Sequence, residues 1–296
     1  MAGHPSRFQH PNKKLVFELA CPPGSTHRGT LKLTQWAAAP LPAVVTLGDL
    51  DLQSVPAVYS YETVPALWHV NFADPRLFCA YGSGLLAQDE LQVAEHPALG
   101  SIREALLADG QPALTETAVL ITGAERRCRV DRSLYGNRFA VSSDRAVRQA
   151  VEVFAHPTVS NLIAIAAPAS HGGGPYWRAQ LEAILRTAFT GFAAAMVVST
   201  QEWPGAIVEI RTGFWGCGAF GGNRRAMTLL QVLAARLAGV HRVRFFTFDA
   251  RGQDDFAAGV ADLQSVLSEE RGAVELPAII DRIEDLDYEW GASDGT

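Results

Sequence analysis

Between residues 206 and 237 the chain passes through three kinds of sequence. An apolar run, Ala206-Ile207-Val208-Glu209-Ile210, comes first. The segment Thr212-Gly213-Phe214-Trp215-Gly216-Cys217-Gly218-Ala219-Phe220-Gly221-Gly222 follows, and then a helical pattern from Arg224 to Leu237. Strand, glycine-rich loop and helix in that order belong to α/β folds, where bare backbone can close on an anion and the helix N-terminus can face it. No Gly-Lys-Ser/Thr follows, so this is not a Walker A loop. The glycines also lack the spacing, and the next strand lacks the acidic residue, of a dinucleotide fingerprint.

The rest of the chain supports an α/β reading. Strands are predicted over residues 68–73, 117–122, 161–166, 206–211 and 242–248. Helices are predicted from Leu85 into Val93 and over 102–107, 145–154, 176–192, 224–237, 254–268 and 276–286. Ser143 and Asp144 cap the third of these. Residues 30–68 read as short extended pieces broken by Pro40, Pro42, Pro56 and Pro65. Alternation of this kind implies a mixed sheet covered by helices on both faces, with ligand beyond the carboxyl ends of strands. The loops after Phe72, Ile121 and Ile210 are therefore the places to look. A length of 296 residues with 48% hydrophobic and 19% charged side chains suits one large core. The division expected is a loose proline-bearing arm over 1–28, a single domain over 29–290 and a frayed tail over 291–296.

Several classes are disfavoured. A net charge of −6 argues against a dedicated nucleic-acid binder, and no sequence-specific nucleic-acid contact is expected. Arg126, Arg127, Arg129, Arg132 and Arg138 cluster locally; a solvated loop is favoured over a docking site for an anionic polymer. Cys21, Cys79, Cys128 and Cys217 are widely spaced with no C-x-x-C pair, so reduced thiols in a cytoplasmic protein are expected and a metal site is not. No signal peptide is legible, and Ala193 to Val198 is too short for a membrane span.

Gln88-Asp89-Glu90 opens a helical pattern after Gly82-Ser83-Gly84. Carboxylates in a first turn complement the helix dipole, which is the plainest account of them. Neighbours on a helix point about 100° apart, so Asp89 and Glu90 cannot face one ligand alike. Taken with other blocks, however, these residues resemble the poly(ADP-ribose) glycohydrolase family. Val70-Asn71-Phe72-Ala73-Asp74 is similar to its Val-Asp-Phe-Ala-Asn. Gln88-Asp89-Glu90 resembles its Gln-Glu-Glu at the same spacing. Ile121-Thr122-Gly123-Ala124-Glu125 is similar to its Ile-Thr-Gly-x-Glu. The Trp215-Gly216-Cys217-Gly218 block resembles its second phosphate loop, with Phe214 where Asn is usual. Phe245-Phe246-Thr247-Phe248 resembles its late Tyr-Phe-Thr-Phe strand. The blocks occur in family order over residues 60–250.

The resemblance implies a macrodomain-like mixed β-sheet sandwiched between helices, with an N-terminal accessory segment. It implies hydrolysis of ribose–ribose O-glycosidic bonds in poly(ADP-ribose), or of a related ADP-ribosyl adduct on a modified macromolecule, with release of ADP-ribose and no cofactor or metal. A non-catalytic reader of ADP-ribose and a hydrolase of mono(ADP-ribosyl) linkages are the alternatives. Residue by residue, Glu90 matches the catalytic glutamate, acting as acid and then base. Asp89 matches its neighbour, which binds ribose hydroxyls or positions Glu90, and Gln88 a supporting hydrogen-bonding residue. The loop from Gly216 through Cys217, Gly218 and Ala219 to Phe220 would wrap the diphosphate. Phe248 would stack on adenine and Glu62 accept from its amino group. Asn71 and Asp74 reverse the family's Asp and Asn, and Tyr135 is what remains of a tyrosine clasp. The family's Gly-Gly-Gly falls at Phe78-Cys79-Ala80, where bulky Phe78 should restrict backbone approach to the diphosphate or distal ribose.

Other candidates have plainer accounts. Cys217 lacks a His neighbour, so packing under the loop outweighs a nucleophile. His171-Gly172-Gly173-Gly174-Pro175 resembles an esterase oxyanion segment, but no G-x-S-x-G accompanies it and a flexible loop is favoured. His69 reads as a satisfied, partly buried histidine. His27, His96 and His156 show no metal-ligand spacing.

Overall fold

The computed structural model describes residues 3–110, 114, 117–170, 173–268, 272–293 and 295. The elements, in chain order, are α1 (Pro11–Ala20), β1 (Lys32–Trp36), β2 (Val44–Val45), β3 (Asp51–Val55), β4 (Leu67–Ala73), α2 (Gln88–Glu95), α3 (Ala98–Ala108), β5 (Ala118–Val130), α4 (Arg138–Val141), α5 (Asp144–Ala150), β6 (Val151–Ala166), α6 (Arg178–Glu202), β7 (Glu209–Gly213), α7 (Arg224–Leu237), β8 (Arg242–Phe246), α8 (Ala250–Leu267), β9 (Val274–Glu275) and α9 (Leu276–Glu284). Among the described residues, the main sheet has seven strands in the order β1-β5-β6-β4-β7-β8-β3. β6, β4, β7, β8 and β3 run parallel to one another, while β5 pairs antiparallel with both β1 and β6. The mixed sheet between helices is the architecture expected.

Two cores lie on the two faces of the sheet. The inner runs of β5 and β6 are apolar at nearly every position because both faces are covered, while β4 and β7 bury His69, Asn71, Arg211 and Thr212 among their apolar residues. Along β6, Ile163 and Ile165 join the core under α6 and α7, while Leu162 and Ala164 join the one that receives α1 and α2. Alternate side chains on a strand point to opposite faces, so one run of sequence serves both. α6 is long and apolar enough by composition to cross a membrane. In this fold it is a core helix, burying Leu181, Ile184, Leu185, Ala188 and Phe192. The expectation that no such segment existed underestimated its length.

Four expectations need correction. Residues 1–28 do not form a loose arm: Pro11–Ala20 is helical, and Lys13, Val16 and Phe17 are buried. Pro11 sits in the first turn, where its missing N–H costs nothing. The helix expected through Phe154 stops at Ala150, because Val151 and Val153 pair with Val130 and Cys128 on β5. β5 itself continues past Thr122 to Val130 through two register shifts. At the first of these Gly123 adopts φ +76°, and a Cβ there would meet Thr30 O at 2.2 Å. Finally, Gly291–Ser293 of the supposed frayed tail passes against Gly221, where an added Cβ would meet Gly291 O at 2.8 Å.

Candidate active site

β4 and β7 pair only over Leu67–His69 and Glu209–Arg211. Beyond that point they part, and the backbone of Val70 and Phe72 loses its ladder on that side. The Gln88 amide replaces it: Nε2 donates to Val70 O at 3.1 Å, and Oε1 accepts from Phe72 N at 2.8 Å. One side chain thus satisfies two part-buried backbone groups at the point where the strands diverge. A cavity of about 1050 Å³ occupies the opening.

The start of α2 lies on its wall. The N-cap of α2 is Ala87, which has no side-chain oxygen to offer. Glu90, three residues on, accepts from Ala87 N through Oε2 at 3.1 Å. That bond pins the side chain and leaves Oε1 outside the cap. Both Asp89 and Glu90 line the cavity although each is nearly buried. Burial pushes the Glu90 carboxyl above its ordinary value, against the opposing pull of the Lys13 ammonium. Asp89 is raised further, by burial first and by the neighbouring Glu90 charge second. The hydrogen bond from Asn71 Nδ2 to Asp89 Oδ1, at 3.0 Å, opposes this. A raised carboxyl pKa inside a cavity favours the protonated form that a general acid requires.

The opposite wall is the glycine-rich loop. Trp215 anchors it from below, its Nε1 donating to Ile165 O at 3.0 Å. Gly216 takes φ +75°, where a Cβ would meet the Ala167 methyl at 2.6 Å. Within the loop, Cys217 N, Gly221 N and Gly222 N donate to backbone carbonyls. Among the described residues, the amides of Gly216, Gly218, Ala219 and Phe220 donate to none, although all four residues line the cavity. Successive unpaired amides on a concave turn form an anion nest. The helix behind plays a different part from the one expected. Asn223 caps α7, its side chain accepting from Arg225 N and Ala226 N, so the loop's own amides supply the anion donors.

Aromatic groups close the cavity. Tyr59, Phe72, Phe214 and Phe248 line it, and Tyr59 stacks on Phe246 with centroids 5.0 Å apart. Phe248 holds a left-handed φ of +68°. Asp74 and Tyr135 line it too, Asp74 accepting from Arg76 N at 2.8 Å. Cys217 faces the cavity with its thiol on Trp215 O at 3.6 Å.

Three expected residues fall elsewhere. Glu62 does not line the cavity and pairs with Arg211 at 2.9 Å. Asn71 is fully buried behind Asp89 and supports that carboxyl rather than facing a ligand. Phe78 points into the core beneath α1 and α2 and is absent from the cavity wall, so it does not obstruct the diphosphate. His69 is wholly buried, and burial lowers its pKa to about 3, which removes it as a base. His171 and Gly172 lie outside the described residues. Among the described residues no group of three or more His, Cys, Asp or Glu could hold a metal ion.

Sequence reasoning missed Lys13, Tyr59 and Arg224. Lys13 Nζ is buried and donates to Leu85 O at 2.8 Å, just before α2. Burial lowers its pKa to about 8, while Glu90 and Asp89 pull the other way. Arg224 packs over the Phe214 ring at 4.8 Å from its centroid. The Tyr59-Ser60-Tyr61 alternation was the one local signal for the tyrosines; nothing near residue 13 pointed to a lysine under the site.

The family model for poly(ADP-ribose) glycohydrolase, macro domain fold, matches residues 61–255. Among solved structures, the chain is similar to poly(ADP-ribose) glycohydrolase from Thermomonospora curvata, with 15% identity, 84% of this chain and 98% of that chain covered, and a TM-score of 0.47. It is also similar to the enzyme from Deinococcus radiodurans in complex with ADP-ribose, with 17% identity, coverage of 74% and 85%, and a TM-score of 0.42. These likenesses are distant, and the assignment rests on the sequence match, which spans the carboxylates of α2 and the glycine-rich loop alike. The chain belongs to the poly(ADP-ribose) glycohydrolase family.

Proposed function

We propose that this protein hydrolyses the ribose O-glycosidic bond of poly(ADP-ribose) carried on modified macromolecules, with Glu90 as the single acid and base. The observation that carries this reading is one cavity: its wall holds both a buried carboxyl with a raised pKa and a nest of unpaired loop amides. The nest takes the diphosphate, and the aromatic floor with Phe248 takes the adenine. The distal ribose then lies at the start of α2.

Glu90 gives its proton to the leaving ribose oxygen as the anomeric C–O bond breaks. The bonding pair leaves with that oxygen, and the sugar becomes an oxocarbenium ion. A water attacks the cation and loses its proton to the Glu90 carboxylate, which restores the acid. Asp89, held by Asn71, steadies the first turn and offers its remaining oxygen to ribose hydroxyls. The thiols of Cys21, Cys79, Cys128 and Cys217 are unbridged, which supports placing the protein in the reducing cytoplasm. Product mass spectrometry on poly(ADP-ribosyl)ated protein tests the reading. Free ADP-ribose from the wild type and none from Glu90→Gln supports it; equal release from both removes Glu90 from the mechanism.

A further inference from the structure

The five clustered arginines divide in the fold. Arg126 is buried on Glu95 at 2.7 Å, and Arg127 lies against Glu125 at 2.6 Å. These two are internal supports. Arg126 also reaches the wall of the cavity that holds Glu90, but its guanidinium is committed to Glu95; Arg129, Arg132 and Arg138 line the same cavity from exposed positions. Arg129 shares its charge with exposed Glu152 at 2.7 Å. Among the described residues, the guanidinium groups of Arg132 and Arg138 make no hydrogen bond or ion pair.

The backbone beneath them is fastened at both ends. Val130 N donates to Glu95 Oε1 at 2.9 Å, and Asp131 N donates to Ala150 O at 2.8 Å. Asp131, the one acid in this stretch, also lines the cavity, but it accepts from Ser133 N at 2.8 Å and so caps its own turn. Gly136 N reaches Leu86 O at 3.0 Å, on the loop that leads into α2. Asn12 Nδ2 then holds Phe139 O and Ser142 O, each at 2.8 Å. Leu134 and Phe139 are buried between these ties, while Arg132 and Arg138 are exposed. Two unpaired cations therefore stand on ordered backbone, docked on the segment that carries Glu90. They belong to a different wall from the amide nest, which follows β7.

A chain cut at a ribose–ribose bond has a diphosphate on each side of the cut. The nest accounts for one of them. The cavity, at about 1050 Å³, is also at the upper end of the range for a single small ligand, roughly 300–1000 Å³. Guanidinium forks match phosphate oxygens in shape and charge. Resting on the functional reading above, we propose that Arg129, Arg132 and Arg138 form a second anion subsite. It holds the diphosphate of the ADP-ribose unit beyond the scissile bond, and so makes the protein select polymer over single ADP-ribosyl groups.

The test is a binding comparison in the Glu90→Gln protein, which keeps substrate intact. Affinity for defined poly(ADP-ribose) chains and for ADP-ribose is measured with and without Arg132→Ala and Arg138→Ala together, across a salt series. The expected result is a loss of about tenfold or more for the polymer with a salt slope shallower by about 1.4, and a change within about twofold for ADP-ribose. Neither guanidinium makes a hydrogen bond or ion pair among the described residues, and Arg132 has only a long-range attraction to exposed Asp131, so the thermal midpoint should stay put. Equal losses for both ligands, or no loss for the polymer, overturn the subsite. So does single-stranded DNA of equal phosphate number that competes as well as the polymer and loses affinity in the same variant; the arginines would then be a nucleic-acid surface. Turnover by Glu90→Gln, or no ADP-ribose binding by it, counts against the functional reading instead, and polymer affinity still reports on the arginines.

Discussion

Asn71 Nδ2 donates to Asp89 Oδ1 at 3.0 Å, while Asn71 Oδ1 is buried with no hydrogen-bond partner among the described residues. The pair joins β4 to the first turn of α2 and leaves one acceptor unmet. The family places aspartate where Asn71 stands, so this chain has exchanged a charge beside its acid for an amide. Asp89 is raised above its ordinary value in the folded state. Its contribution to stability is therefore full below the unfolded value, about 3.9, and is lost as pH rises through the folded one. Asp89→Asn should remove that loss and let a new amide donate to Asn71 Oδ1. The thermal midpoint should rise at pH 8 and rise less at pH 5, with a gain on the order of 1–3 kcal/mol at the higher pH. Melting curves at the two values decide it, and a larger gain at pH 5 would contradict the assignment.

Glu90→Gln should lower kcat by about 10²- to 10⁴-fold, the usual contribution of a positioned acid–base group. The amide oxygen of the variant side chain can still accept from Ala87 N, so the cap and the ADP-ribose affinity should persist. Calorimetric titration beside a turnover assay separates the two effects. A loss of affinity equal to the loss of kcat would mean that the residue binds rather than catalyses.

Lys13 has no carboxylate within ion-pair distance among the described residues, yet its charge lowers both Glu90 and Asp89. Lys13→Met should therefore let the Glu90 pKa climb further and move the pH optimum of kcat/KM to the alkaline side. Lys13→Arg, which keeps the charge, should shift it less. A pH–rate profile unmoved by Lys13→Met would mean that the charge does not reach the acid.

Phe78 is fully buried at φ +58°, a conformation that suits glycine. Restoring the family's glycine should not widen the site, because the side chain packs in the core and not on the cavity wall. Phe78→Gly should instead cost about 3–5 kcal/mol of core packing, offset by about 1 kcal/mol of relieved strain. A denaturant melt should show the loss, while substrate preference in the surviving folded fraction should stay as it was.

His69 and His96 are buried and neutral, each with a pKa lowered to about 3 by burial. A depressed folded value gives stability that is full above the unfolded pKa of about 6.5 and declines as pH falls towards 3. The chain should lose stability steadily below pH 6.5 on this account, with a slope reaching about 2.7 kcal/mol per pH unit if both contribute fully. His96→Gln should flatten that slope by about half. An unchanged slope would assign acid sensitivity to other groups.

What could be read from the sequence was whatever lay close together along the chain. The amide nest is written in closely spaced glycines, and α7 ran from Arg224 to Leu237 as its period required. Glu90 stands three residues after a cap position, so its place in the first turn was legible as well. Long-range partners were not. Glu62 looked free for adenine until Arg211, 149 residues away, came to meet it. Phe78 looked obstructive because sequence shows size and not direction. Pro11 was taken as a sign of disorder, although in a first helical turn proline favours order. The arginine cluster looked uniform, and only packing separated Arg126 and Arg127, committed to buried carboxylates, from Arg129, Arg132 and Arg138, which stand exposed on the cavity wall.

Gln88 makes two hydrogen bonds to the backbone of β4 where it diverges from β7. The cleft is thus a split within one sheet, its edge satisfied by a side chain anchored in the same helix as the acid. An enzyme built this way needs no jaw. It meets its polymer with the slot already cut, and little chain entropy is lost in shaping it on arrival.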